Sequence, residues 1–240
     1  MRLHPRVRGW FTVGLVSTGY LIVVAVASSA VAAVAHRLGA SGVRGEAAIR
    51  LTGSALGQLC GVLLLEAFLR ARGRSLREIG LWKSAPPVAW FLAIVLTATI
   101  VAMMLAGPLR GAAHLREVTL FHAYTSSVAA LGAGFGEEIL FRGYVMTELA
   151  WSGAGRVSQM VAAAVIFGFA HARWASLGQG FDPGVLLGTV GATTMAGALY
   201  GALYLVGRRS LMPAIVSHAC TDFLIEPWLV LLALEGALGR

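Results

Sequence analysis

From Phe11 to Ala35 the chain reads FTVGLVSTGYLIVVAVASSAVAAVA, a stretch without one Asp, Glu, Lys or Arg. As an α-helix it rises roughly 37 Å at ~1.5 Å per residue, more than the ~30 Å hydrocarbon core of a bilayer requires. Arg2, Arg6 and Arg8 precede it and Ala33, Val34 and Ala35 close it, features that a secretory signal also shows. The apolar region of a signal, however, runs for only about 7 to 15 residues. The stretch is therefore expected to be a retained transmembrane helix.

Comparable apolar runs recur over 52–69, 88–107, 119–151, 157–172, 184–207, 211–225 and 227–238. Together they predict about eight transmembrane helices in 240 residues, which leaves no room for a soluble domain. The 157–172 and 227–238 runs are short enough to be tilted, interfacial or re-entrant, so seven spans also fit. The expected fold is all-α: one polytopic membrane bundle over 1–240, with the helices of about 11–107 as scaffold. Composition agrees, since only 12% of residues are charged against about 25% in a soluble domain. The alternation of a membrane β-barrel is absent, and 30 glycines suit close helix approach. Cys60 and Cys220 lie within apolar runs and are expected to be buried packing residues, with no disulfide.

Lys and Arg number 19 against 11 Asp and Glu, a net charge of +8. A basic balance can mark a nucleic-acid binder, but these residues cluster between apolar runs and no such motif accompanies them, so no nucleic-acid partner is expected. With the N-terminus inside, Arg2, Arg6, Arg8, Arg70, Arg72, Arg74, Arg77, Lys83, Arg156, Arg208, Arg209 and Arg240 fall on the cytoplasmic side. Arg37, Arg44, Arg50, Arg110, Arg116 and Arg173 fall outside, three of them in a loop over 36–50. That asymmetry predicts a cytoplasmic N-terminus, and the Ala/Gly/Arg-rich, minimal chain suggests an integral protein of a bacterial cytoplasmic membrane.

In lipid an ionisable side chain costs several kcal/mol, so each one inside an apolar run is a functional candidate. Six qualify: Glu137, Glu138 and Arg142 in one run, His171 in the next, and His218 with Asp222 near the end. Glu138 and Arg142 stand i and i+4 and can pair on one helix face, which leaves Glu137 about 100° away and free. Phe167 and His171 share the i, i+4 spacing, as do His218 and Asp222, where an imidazole–carboxylate hydrogen bond would fix the histidine tautomer. Glu66 and Glu148 lie near helix ends and are expected to snorkel, and Glu226 and Glu235 to be interfacial. Each pair alone has a plain structural reading as helix-to-helix packing. Carboxylates on one helix and a histidine on each of two others point instead to a shared site. These are the groups of a zinc hydrolase, or of a glutamate base with histidines that orient water and stabilise an oxyanion. There is no HExxH signature, no pair of intramembrane aspartates and no nucleophilic serine partnered by histidine.

Glu137-Glu138-xxx-Arg142, Phe167-xxx-His171 and His218-xxx-Asp222, in this order on successive helices, resemble the three motifs of the CPBP family of type II CAAX prenyl endopeptidases and bacteriocin-processing or self-immunity proteins. Phe-Arg-Gly completes the first motif and Leu211-Met-Pro-Ala leads into the third. The motifs lie within 137–222, whereas the N-terminal helices resemble the family only in hydropathy. The resemblance implies an intramembrane endopeptidase in which Glu137 and His171 activate a water. His218 and Asp222 would orient substrate or stabilise the oxyanion, Glu138 and Arg142 would support the site, and Phe167 would contact substrate. The implied partners are the lipid bilayer and a protein or peptide substrate, which prenylation would mark in some members. The metal-free reading is preferred; zinc, if bound, would take Glu137, His171 and His218. Two other readings remain, a proton- or ion-coupled transporter and a non-catalytic membrane adaptor. The first expects two related halves with broken helices, which the chain lacks.

Overall fold

The structure, a computed structural model, describes residues 4–110, 119–173 and 183–238. Among them the chain is all-helical. Helices α1 (Pro5–Arg37), α2 (Gly42–Ala71) and α3 (Pro87–Ala106) come first. An unbroken helical run over 120–151 follows, made of α4 (Leu120–Ala129), two π-helical segments (Ala130–Glu137 and Ile139–Val145) and α5 (Met146–Trp151). Then come α6 (Arg156–Ala170), α7 (Pro183–Val206) and α8 (Met212–Leu238). Arg2, Arg116 and Arg240 of the charge census lie outside the described residues.

Two expectations change. The runs over 211–225 and 227–238 are one helix, α8, with Pro227 in its interior. Proline removes one intrahelical hydrogen bond, a loss that neighbouring helices offset in a membrane bundle. The expected loop over 36–50 shrinks to 38–41, because Arg44, Glu46 and Arg50 already belong to α2. Glu46 and Arg50, one turn apart, form an ion pair at 2.6 Å, which lets charged residues extend the helix beyond its apolar run. The structure therefore holds seven helical rods among its described residues instead of eight. Among the described residues five helices are long and apolar enough to cross a membrane: Arg6–Arg37, Gly42–Ala71, Pro87–Ala106, Pro183–Val206 and Met212–Glu235.

The core sits along the middle of the 120–151 run, where every residue from 138 to 149 is buried. Ile139, Leu140, Phe141, Tyr144, Met146 and Leu149 pack there against α1, α2 and α6. Outward, Phe11, Leu15, Ile22, Leu63, Phe91, Ile94 and Leu187 stay exposed, which suits contact with lipid tails. Cys60 and Cys220 are free and likewise exposed. An apolar run predicts burial, but in a membrane helix half of that burial is in lipid.

Glycines set the helix spacing. Gly53, Gly57 and Gly61, one turn apart on α2, face α1 so closely that a Cβ at Gly57 would stand 2.6 Å from the Val24 Cα and one at Gly53 2.8 Å from the Ser28 Cα. In the first π-helical segment, Gly132 and Gly136 face α2 while Gly134 faces α8, where a Cβ would meet the Ala219 Cα at 2.5 Å. Glycine removes the side-chain layer that otherwise keeps helices ~8–10 Å apart. The central run is thereby clamped at backbone contact between α2 and α8.

Basic residues that follow α2 and α7 tie neighbouring elements together. Arg72 reaches Glu148 at 2.8 and 3.0 Å, Arg74 stacks over Trp151, and Arg209 reaches Gln159. The Leu211 amide donates to the Gly80 carbonyl at 3.0 Å, so the loops after α2 and α7 are tied too. Substituting Gly57→Leu should force α1 from α2 and lower stability by about 1–3 kcal/mol, read as a lower thermal midpoint in detergent. Gly188→Leu, which meets nothing within 4 Å, should leave that midpoint in place; equal behaviour of the two variants would refute the backbone contact.

Candidate active site

The π-helical winding of 130–145 carries Glu137 and Glu138 into the bundle, α6 ends at His171, and α8 contributes His218 and Asp222. All six candidate residues of the sequence converge on one region, together with Phe167.

Glu138 and Arg142 are entirely buried and paired at 2.7 Å, as their spacing predicts. The same Glu138 Oε1 also accepts from His218 Nδ1 at 2.8 Å. His218 therefore takes its close partner from the central run, whereas Asp222 Oδ2 stands 3.5 Å from Nε2 and makes no hydrogen bond there. The expected His218–Asp222 bond is thus replaced by a cross-helix one. Arg142 extends further, donating to the Gly197 carbonyl of α7 at 3.1 Å and stacking over Phe167 at 4.4 Å. One guanidinium consequently touches two other helices, α6 and α7, besides its own carboxylate. Phe167 lies beneath both imidazoles, 4.5 Å from His171 and 5.9 Å from His218, while Tyr200 stacks on the other face of His218 at 4.8 Å.

Glu137 points elsewhere. Its Oε1 accepts from the Gln58 amide of α2 at 3.1 Å, and its Oε2, without a hydrogen-bond partner, faces His171 Nε2 at 3.7 Å. His171 Nδ1 lies 2.8 Å from the Phe167 carbonyl. A carbonyl only accepts, so Nδ1 carries a proton, and in the neutral tautomer this leaves the Nε2 lone pair turned toward Glu137.

A cavity of about 320 Å³ opens beside this pair. Glu137, His171, His218 and Asp222 stand on its wall with Arg173, Thr193 and Thr221, and Ile100, Met104, Ile225 and Leu229 are among its apolar lining. Glu226, one turn beyond Asp222, also lines it with a buried, unpartnered Oε2. The reason is helical spacing, since 218, 222, 226, 229 and 233 share one face of α8. Glu148 is no snorkelling group: it is buried, and Arg72 holds it with two hydrogen bonds that push the guanidinium further up from its ordinary value. Glu66 bonds Arg70 and the Leu76 amide at the end of α2.

Among the described residues no group of three or more His, Cys, Asp and Glu side chains is disposed to hold a metal ion. His218 turns one nitrogen to Glu138 and the other toward Asp222. The Glu137, His171 and His218 set considered for zinc therefore does not assemble as one ligand sphere.

Gln58 and Tyr20 were not among the sequence candidates. Gln58 bonds Glu137 and Tyr20 bonds Gln58, and a search limited to intramembrane charges passes over both; a lone amide within the 52–69 run is the signal that marks Gln58.

Residues 119–224 match a family model, that of type II CAAX prenyl endopeptidase Rce1-like proteins. The match takes in all three motifs and less than half of the chain, within a bundle of helices long and apolar enough to cross a membrane. No curated protein and no solved structure matches the chain.

Arg142→Met should strand the buried Glu138 carboxylate and cost about 3–5 kcal/mol in an unfolding titration with SDS. The double variant Glu138→Leu/Arg142→Met should recover part of that loss. A harmless single variant, or a double variant no better than it, would show that the pair carries no such energy.

Proposed function

We propose, with an Rce1-like peptidase domain at 119–224 as the premise, that the chain hydrolyses a peptide bond within the membrane by means of a water held between Glu137 and His171. The observation that carries this reading is the facing pair itself. An unpartnered carboxylate oxygen and an imidazole lone pair, 3.7 Å apart on the cavity wall, are two acceptors that one water can satisfy with its two hydrogens. Its lone pairs then point into the cavity.

The steps follow from these positions. A substrate carbonyl enters beside the water. As the water oxygen attacks the carbonyl carbon, Glu137 takes one of its protons, while His171 holds the other hydrogen and fixes the direction of attack. The carbonyl π pair moves to oxygen and forms the oxyanion. His218 and Asp222 occupy the adjacent wall; as an imidazolium, His218 donates through Nε2–H, and Asp222 donates when it carries a proton. Collapse of the tetrahedral intermediate re-forms the carbonyl and breaks the C–N bond, and Glu137 returns its proton to the leaving amine. Glu138 and Arg142 hold His218 and the floor of the site without touching the reacting atoms. Substrates are protein or peptide segments that reach the cavity from the bilayer, with or without a prenyl group.

The purified full-length protein, reconstituted in liposomes with a quenched peptide library of which some members are farnesylated, should cleave a subset. Glu137→Gln should lose cleavage by at least about a hundredfold, and Glu138→Gln should lose less, since it acts through His218. Cleavage that survives in folded Glu137→Gln would remove the general base from this scheme, and equal total losses would show the two roles wrongly divided. Metal analysis should find substoichiometric zinc and activity that persists under chelation. One tightly bound zinc lost together with activity would replace the metal-free reading.

A further inference from the structure

Gln58 lies mid-way along α2, well before the 119–224 segment that matches the family model. It is buried, and its amide Nε2 donates to Glu137 Oε1 at 3.1 Å. Its own Oε1 lies 2.8 Å from the Tyr20 hydroxyl of α1, which also stands 3.1 Å from the carbonyl oxygens of Gln58 and Gly136. With Glu137 ionised, only the NH₂ orientation toward it avoids setting acceptor against acceptor. The Tyr20 hydroxyl hydrogen then serves the amide oxygen on the other side. Both ends of the Gln58 amide are thereby assigned.

The approach depends on two glycines. A Cβ at Gly136 would stand 2.7 Å from the Gln58 Cβ, and one at Gly61 would stand 2.6 Å from the Tyr20 ring. Without them the amide could not reach the carboxylate, nor the phenol the amide.

The consequence falls on Glu137. Anchoring Oε1 leaves Oε2 as the oxygen that faces His171 across 3.7 Å. We infer that Gln58, held in turn by Tyr20, is a positioning residue that selects which oxygen of Glu137 addresses the cavity, so that α1 and α2 complete the site. This inference rests on the general-base reading of Glu137.

It is tested in the full-length protein in liposomes with the fastest-cleaved member of the quenched peptide library. Gln58→Leu should lower kcat about ten- to a hundredfold, the range for a misplaced reacting group, and leave KM within about twofold. Tyr20→Phe should lower kcat less, and it should add little in the Gln58→Leu background, because the two act as one chain. A packing role alone would lower the thermal midpoint, leave kcat in place and give additive effects; that pattern overturns the inference. A second measurement needs no cleavage. Labelling of Glu137 by a lipid-soluble carbodiimide, quantified by mass spectrometry, should rise about fivefold in Gln58→Leu as the carboxylate loses a hydrogen bond, and unchanged labelling overturns the inference. If the wild type cleaves nothing, the hydrolase reading fails, and the labelling still decides whether Gln58 holds Glu137.

Discussion

Glu138 Oε1 receives hydrogen bonds from Arg142 at 2.7 Å and from His218 at 2.8 Å in a place with no access to solvent. A carboxylate there is tolerable only with its charge answered at close range, because desolvation costs several kcal/mol. Arg142 supplies that charge and continues to the Gly197 carbonyl and the Phe167 ring. The arrangement of α6, α7 and α8 around the central run is therefore dictated by one ion pair. Helices in lipid have little hydrophobic reason to choose one neighbour over another. Here the choice falls to the polar contacts and to the glycines that admit them.

The two adjacent glutamates show how a single step along a helix separates two tasks. Glu138 is surrounded by protein, while Glu137 borders the cavity with one oxygen restrained and the other open. Wide π-helical winding through 130–145 is a frequent feature of functional sites in helical proteins, since it shifts side chains off the usual register. Alternating glycines at 132, 134 and 136 bring this segment against α2 on one side and α8 on the other. The polar residues then meet across backbone-to-backbone distances instead of through long, mobile side chains.

Much of this was legible beforehand. Hydropathy marked the long helices, and the i, i+4 spacing gave the Glu138–Arg142 pair and the Phe167–His171 stack. Local spacing failed where a partner sits on a distant segment. It assigned His218 to Asp222, its neighbour on the same helix, although the closer partner is Glu138, eighty positions earlier. Hydropathy put Glu226 at the edge of an apolar run, whereas its place one turn beyond Asp222 on the same face of α8 sets it on the cavity wall. Cys60 and Cys220 looked buried because apolar sequence does not distinguish a protein interior from lipid. Gln58 carries no charge, so nothing in a census of ionisable groups could find it.

The proton on His171 is fixed by the Phe167 carbonyl, an atom of the main chain one turn earlier on α6. A tautomer set by a side chain can be lost to a single codon change, but this acceptor belongs to every amino acid. A substitution at position 167 therefore removes the ring but leaves the acceptor of the His171 proton in place. In this sense the helix end itself, independent of sequence, acts as the orienting partner that other enzymes recruit from an aspartate.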